Sequence, residues 1–295
     1  MEDSNPLLSV FSAEDLAKLE QGLDVESKGK ANDDVCYMLT DPSNRDTQSA
    51  IANWFQIAEE KGTGENIRHR LRNCLRRKEM LLQTLGEIMA GYFLHKNLDR
   101  KVKYRCGEKG ADFGITLGGS PANCEVKSAV GGIPAGRYFG PGMPATGKIR
   151  SWLKNIAKQL DKDGANIVLL ADFWRPGITP DYVLDALYGS LGLEIAVQVT
   201  QGAAHPSPKP RFVRERNGKF TPGSLTRVSA VGVLRFVPMD TERRIHAWFV
   251  HNLYAAKPIA PKALGAFPQL EPLADKSGLC WRRGIGFNGL PVQEE

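Results

Sequence analysis

The spacing of apolar residues predicts a long helix and then a strand in the first third of the chain. Between residues 66 and 97 apolar side chains recur at three- and four-residue steps, which is typical of one amphipathic helix. Gly86 and Gly91 interrupt this stripe, and we expect them to bend the helix or to allow close packing. Apolar and basic residues alternate in residues 101–106, which predicts a strand.

Two short apolar runs further along the chain predict a β-hairpin. Residues 113–117 and 122–126 form these runs, and Gly118-Gly119-Ser120-Pro121 between them is a turn sequence. An amphipathic helix is predicted at residues 149–160, and the nearly continuous apolar run 165–173 predicts a buried strand. The predicted order of elements is therefore α-β-β-β-α-β.

The flanking regions complete a predicted division of the chain into three parts. Residues 1–65 carry helical signals and are predicted as a helical N-terminal region, either a small domain or an arm on the core. The core is placed at residues 66–254 and includes two paired strands at 228–237 and 245–250 and a basic loop at 203–221. Residues 255–295, rich in Pro and Gly, are predicted to form an irregular tail.

Three charged residues of the hairpin are expected to face one cleft. Side chains in a strand alternate between faces, so Glu125 and Lys127 point the same way, and Asp112 is out of phase with the apolar residues of the first strand. Two adjacent carboxylates repel each other, and a carboxylate in an apolar setting takes up a proton unless a cation balances it. Oxygen ligands suit Mg²⁺ or Mn²⁺, so this pattern predicts a metal site. A surface salt bridge on an ordinary hairpin is the alternative interpretation.

The arrangement of Asp112, a spacer containing a turn, and Glu125-Val126-Lys127 resembles the PD-(D/E)XK nuclease superfamily. The resemblance extends over residues 66–172 and implies a restriction-endonuclease-like α/β core, in which helices flank a mixed central sheet. It implies that Asp112 and Glu125 hold the metal, with Glu87 and the Val126 carbonyl as further ligands, and that Lys127 orients the attacking water. The proline that precedes the first acid in the family is Ala111 here.

The charge of the chain favours a polyanionic partner, which we expect to be DNA. The 295 residues carry a net charge of +6 and have a sequence pI near 9.0. Candidate contacts to nucleic acid lie in the first half of the long helix and in the Gly- and Pro-rich segment after the hairpin. They are Arg72, Arg76, Arg77, Arg137 and Lys148. A solvated basic face is the alternative interpretation of the helix residues.

A glycine-rich segment at residues 140–148 offers a competing interpretation as a nucleotide-binding loop. Gly142 to Lys148 nearly matches the phosphate-binding sequence G-x-x-x-x-G-K-[ST], but Ile149 replaces the hydroxyl residue that would bind Mg²⁺. Pro144 also removes one backbone donor from the cradle.

The remaining features narrow the functional class. No apolar run approaches the length of a membrane span, and the acidic start of the chain lacks the features of a signal peptide, so we expect a cytoplasmic protein. The five cysteines and five histidines show no disulfide or zinc-site spacing. We therefore expect a Mg²⁺-dependent deoxyribonuclease, an endonuclease rather than an exonuclease. Restriction or anti-phage defence is one context for such a site, and repair would use the same site. A non-catalytic nucleic-acid-binding subunit with the same fold is the alternative, and a homodimer or a partner subunit of a larger complex both stay open.

Overall fold

A computed structural model describes the fold of the greater part of the chain. The described residues are 5–26, 35–75, 77–105, 110–128, 144–173, 178–189, 191–194, 197–200, 203–206, 211–214, 217–236, 245–273 and 279–282. The α-helices are α1 (Ala13–Glu26), α2 (Val35–Thr40), α3 (Arg45–Glu60), α4 (Gly64–Cys74), α5 (Lys78–Asn97), α6 (Pro144–Ile156) and α7 (Pro180–Tyr188). Three 3₁₀ turns lie at Pro6–Ser9, Pro42–Asn44 and Pro261–Leu264. None of the described helices is long and apolar enough to cross a membrane.

The strands form one large mixed sheet and two short ribbons. The strands are β1 (Lys103–Tyr104), β2 (Phe113–Leu117), β3 (Ser120–Ser128), β4 (Ala165–Asp172), β5 (Leu191–Glu194), β6 (Val197–Thr200), β7 (Ala203–Pro206), β8 (Arg211–Arg214), β9 (Ala230–Phe236), β10 (Ile245–His251), β11 (Gln269–Pro272) and β12 (Leu279–Arg282). The large sheet has the order β1-β2-β3-β4-β9-β10-β11-β12. Strand β4 runs parallel to β3 and β9, and β10 parallel to β11, whereas the other neighbours are antiparallel. The predicted α/β class and the predicted order, here α5-β1-β2-β3-α6-β4, are confirmed.

Helices cover both faces of the sheet and create two hydrophobic cores. On β4 the side chains of Ile167 and Leu169 belong to the core under α3 and α5, while Val168 and Leu170 belong to the core under α6 and α7. A strand buried on both sides needs apolar residues at nearly every position, which explains the uninterrupted apolar run in the sequence. The architecture is therefore a three-layer α/β/α arrangement.

The N-terminal helices share the first of these cores. The indole of Trp54 on α3 lies edge-on to Phe236, with ring centroids 4.8 Å apart, and 6.4 Å from the ring of Phe173. The predicted helical N-terminal region forms α1, α2, α3 and two 3₁₀ turns joined by short connections where it is described, and it packs on the sheet as an integral layer. Its predicted limit at residue 65 falls inside α4.

The helix predicted at residues 66–97 is two helices, which corrects the sequence analysis. Helix α4 ends at Cys74, and the backbone of Arg77 is extended, with φ −127° and ψ 84°, immediately before α5 begins. The break folds α4 back on α5, so Ile67 and Leu71 enter the same core as the apolar face of α5. The apolar period continues across the break because both helices contribute to one core, and the sequence pattern therefore hides it.

Two further predictions beyond β4 are wrong, because strands form in segments whose sequence pattern does not indicate them. The segment 203–221, predicted as a loop, contains β7 and β8, which pair with β6 and β5 in two short antiparallel ribbons. The predicted strand 193–199 is correspondingly divided between β5 and β6. The tail predicted as irregular contributes β11 and β12 to the large sheet, since the edge of β10 offers backbone partners to Gln269 and Leu270. The paired strands predicted at 228–237 and 245–250 are confirmed as β9 and β10.

Candidate functional site

The candidate site is built on the hairpin of β2 and β3. Gly118 and Gly119 occupy the two central turn positions with φ of 55° and 86°, conformations that suit glycine and favour a two-residue hairpin turn. The turn fixes the register, in which Phe113 pairs with Cys124. Extended by one residue, this register sets Asp112 opposite Glu125. The hairpin and the alternation of its faces are as predicted from sequence.

Helix α5 approaches the end of β3 very closely because residue 86 is glycine. A Cβ atom there would lie 2.0 Å from the Ser128 hydroxyl and 2.9 Å from the Ala171 methyl. One turn earlier on the helix, the Gln83 amide donates to the Val126 carbonyl at 2.9 Å and accepts from the Ser128 N–H at 3.0 Å. The end of β3 extends beyond β2, and the Gln83 side chain forms the backbone hydrogen bonds there that a neighbouring strand would otherwise form. The Val126 carbonyl, expected as a metal ligand, accepts this hydrogen bond from Gln83.

The Glu125 carboxylate is buried and only half satisfied. The residue is 3% exposed, and its Oε1 lies 3.1 Å from the Lys127 ammonium. Its Oε2 is buried and has no hydrogen-bond partner among the described residues. Burial, the largest effect, raises the pKa of Glu125 against the lowering effect of Lys127. A carboxylate oxygen in this state is costly unless a further cation or donor reaches it.

Asp112 completes an acidic cluster at the same place. Its carboxylate accepts a hydrogen bond from the Val126 N–H at 2.8 Å. Burial, followed by repulsion from Glu87 and Glu125, raises the pKa of Asp112 to about 7, although the Val126 N–H and Lys127 oppose the shift. The structure therefore brings Asp112, Glu125 and Lys127 within electrostatic reach of one another, as the sequence predicts, and the two acids disfavour each other's ionisation.

Glu87 lies beside this pair but is itself held in an ion pair. The Arg70 guanidinium contacts both of its carboxylate oxygens, at 2.6 and 2.9 Å, and Gln83 donates to one of them at 3.1 Å. Arg70 is seventeen residues away, a separation of about 25 Å along a straight helix, so only the break between α4 and α5 allows the contact. The roles of Arg70 and Gln83 were missed by the sequence analysis, and no local pattern signals them. Arg70 offsets charge that would otherwise add to the repulsion at the cluster.

The donor set that remains for a cation is a pair of carboxylates. Among the residues that the structure describes, no group of three or more His, Cys, Asp or Glu side chains is arranged to hold a metal ion. Mg²⁺ is commonly held by one or two carboxylates, with waters and substrate phosphate oxygens completing the shell. Asp112 and Glu125 fit that minimal requirement, since both are disfavoured as anions and one oxygen of Glu125 is left without a partner.

A cleft of about 350 Å³ lies beside Lys127. Its walls come from α4, α5, α6 and the end of β3, and they combine cationic, amide and apolar groups. They include Arg70, Asn73, Met80, Gln83, Lys127 and Trp152. The acidic cluster is thus next to a space large enough to hold part of a substrate.

The residues predicted to contact nucleic acid are dispersed in the structure. Arg72 is exposed but points toward α1, where its Nε lies 3.6 Å from the Asp15 carboxylate, on another face of α4 from Arg70. Arg77 is exposed beside the cleft, with a guanidinium nitrogen 3.6 Å from the Met80 sulfur. Lys148 is exposed on α6. Arg76 and Arg137 lie outside the described residues.

The interpretation of residues 140–148 as a nucleotide-binding loop does not fit the local structure. Helix α6 begins at Pro144, so the N–H group of Lys148 is placed to donate to the Pro144 carbonyl within the helix. A phosphate cradle needs this N–H group free. Residues 140–143 lie outside the described part of the chain.

Comparisons with protein-family models, curated proteins and solved structures gave no significant match for this chain.

Proposed function

We propose that the protein is a metal-dependent nuclease of the restriction-endonuclease-like type, with its active site at Asp112, Glu125 and Lys127. The observation that carries this proposal is the buried Glu125 carboxylate, which contacts Lys127 through one oxygen and leaves the other without a partner opposite Asp112. A structural salt bridge would satisfy both oxygens or lie at the surface. The order of elements around the hairpin and the sequence resemblance support the same proposal.

The acidic and basic residues of the cluster have different proposed roles. Asp112 and Glu125 would hold Mg²⁺ or Mn²⁺, which lowers the pKa of a water molecule at the site and offsets negative charge on the phosphate. The Lys127 ammonium, fixed by Glu125 at 3.1 Å, orients that water and adds positive charge beside the scissile phosphate. The water gives up a proton to solvent as its oxygen forms a bond to phosphorus. The bond from phosphorus to the leaving sugar oxygen breaks, and that oxygen takes up a proton from solvent. The Glu87 charge raises the pKa of both acids and so makes a cation more favourable at the pair, although its ion pair with Arg70 offsets part of this effect.

The proposed substrate is DNA, because the chain is basic and Arg77 and Lys127 are placed at or beside the cleft. Endonuclease action in restriction or anti-phage defence is the proposed context. A non-catalytic nucleic-acid-binding subunit is the second candidate, and a cleavage assay separates the two.

Cleavage of labelled DNA should require Mg²⁺ or Mn²⁺ and stop in excess chelator. Lys127→Ala should lower the rate on the order of 10² to 10⁴-fold, which is typical for the loss of one positioned charge or base. Lys103→Ala is the matched control, since Lys103 is an exposed lysine of β1 in the same sheet, and it should keep full activity. Full cleavage in chelator would exclude the metal mechanism, and a fully active Lys127→Ala protein would restore the salt-bridge interpretation. DNA binding without any cleavage would favour the non-catalytic subunit.

A further inference from the structure

The cleft beside Lys127 has a lining that the phosphodiester chemistry alone does not explain. Metal ligands and a lysine suffice to hold and cut a phosphate, yet this space also presents the Trp152 indole and the Met80 thioether. Met80 is 45% exposed, one of four large apolar side chains exposed to that degree or nearly so among the described residues. The Arg77 guanidinium lies against its sulfur.

Trp152 packs against the protein core on one side and is accessible from the cleft on the other. It lies one turn after Ile149 and beside Leu153 on α6, both of which are buried in the core under α6 and α7. Trp152 packs partly against that core and also lines the cleft. An aromatic ring fixed on one side and accessible on the other is a stacking platform, because it loses little freedom when a flat group covers it.

The polar lining suits a flat group with hydrogen-bonding edges. Asn73 supplies an exposed amide at the end of α4, and Lys127 supplies positive charge. The Gln83 amide also lines the cleft but donates to Val126 and Glu87, and Arg70 is paired with Glu87. The volume of about 350 Å³ is at the lower end of sites that bind small molecules and excludes a whole duplex. A nucleobase attached to its phosphate matches this combination of an aromatic face, an amide and an ammonium group.

We propose that this cleft receives an unpaired nucleobase of the strand being cut, stacked on Trp152, next to the phosphate at Lys127. This inference rests on the proposed nuclease function and specifies its substrate class as single-stranded or locally unpaired nucleic acid. A base within an intact duplex is covered on both faces by its neighbours, so it must leave the stack before an indole can cover it. Stacking is tolerant of sequence, because every base presents a π-face.

The test is equilibrium binding of labelled single-stranded DNA and of blunt duplex DNA, with Ca²⁺ in place of Mg²⁺. Trp152→Ala should weaken binding of the single strand by roughly 5- to 150-fold, the range for loss of one stacked base, and should leave duplex binding nearly unchanged. Trp152→Phe should retain most of the affinity. Tyr254→Ala is the matched control, since Tyr254 is an exposed aromatic residue away from the cleft lining, and it should bind both substrates normally.

A duplex with one unpaired base fixes the position of the base that can be stacked. The unaltered protein should bind this duplex more tightly than the same duplex with an abasic site at the unpaired position, and Trp152→Ala should abolish the difference. Equal binding of the two duplexes by the unaltered protein, or equal weakening of single-strand and blunt-duplex binding by Trp152→Ala, would overturn the inference. If binding depends on Trp152 and on the unpaired base but the protein cuts no DNA, the nuclease proposal is rejected and the base-binding site stands. If the protein cuts DNA but binding does not depend on Trp152, only the base-binding site is rejected.

Discussion

Replacing Asp112 with Asn should make the metal-free protein more stable at pH 8, which is the reverse of the usual effect of removing a hydrogen-bonded charge. The pKa of Asp112 is raised from 3.8 to about 7 by burial and by its acidic neighbours. A shift of this size corresponds to at most about 4 kcal/mol of free energy that opposes ionisation in the folded state. The Asn side chain keeps an oxygen for the Val126 N–H without the charge.

The sign of the pH dependence of the unfolding free energy follows from whether the folded or the unfolded state binds the Asp112 proton more tightly. Between about pH 4 and pH 7 the folded state keeps the Asp112 proton while the unfolded state has lost it, so the free energy of unfolding falls as pH rises through that window. The fall between pH 5 and pH 8 amounts to about 3 kcal/mol at most. Asp112→Asn removes this dependence, so its advantage over the unaltered protein should be clearly larger at pH 8 than at pH 5. Loss of the charge-assisted hydrogen bond would reduce the gain by about 1 kcal/mol.

Urea unfolding in excess chelator at pH 5 and pH 8 measures both quantities. Asp99→Asn is the matched control, because that carboxylate accepts hydrogen bonds from the N–H groups of Lys101 and Thr116 outside the acidic cluster and should gain nothing at pH 8. Mn²⁺ should stabilise the unaltered protein more at pH 8 than at pH 6, since its ligands must be deprotonated, and should not stabilise Asp112→Asn. Destabilisation of Asp112→Asn at pH 8 would refute the reasoning and identify Asp112 as a structural acceptor.

The packing of α5 on the site gives two further predictions. Arg70→Gln should destabilise the protein by about 1 to 3 kcal/mol, because it leaves the Glu87 carboxylate without its ion pair. In a double-mutant cycle followed by unfolding, the same substitution should cost much less in a Glu87→Gln background, and equal costs in both backgrounds would show that the two residues are not coupled. Gly86→Ala should cost about 1 to 3 kcal/mol in thermal unfolding and lower the cleavage rate, since the added methyl group displaces α5 and with it Gln83. Gly147→Ala, in α6 with open space around it, is the control and should be neutral or slightly stabilising, so equal losses in the two glycine variants would contradict the close-packing argument.

The amino-acid sequence by itself determined the hairpin and its alternation of faces. A two-glycine turn and a period of two are local properties, so the opposition of Asp112 and Glu125 and the proximity of Lys127 could be read before any fold was known. The same holds for the buried strand β4, whose apolar run is long enough to need cover on both sides.

Only the tertiary structure decided what surrounds those residues. The ion pair of Arg70 with Glu87, the pairing of Gln83 with the edge of β3, and the cleft at Trp152 all join segments that lie far apart in the chain. Strands β8 and β11 were not predicted for the same reason, because a strand without a strong local pattern forms when an edge elsewhere in the chain satisfies its backbone. Strands β7 and β12 pair with β6 and β11, their immediate neighbours in the chain, and were missed because their own local patterns are weak. Periodicity records which face of a segment is buried but carries no information about the partner that buries it, and the chemistry of this site depends on those partners.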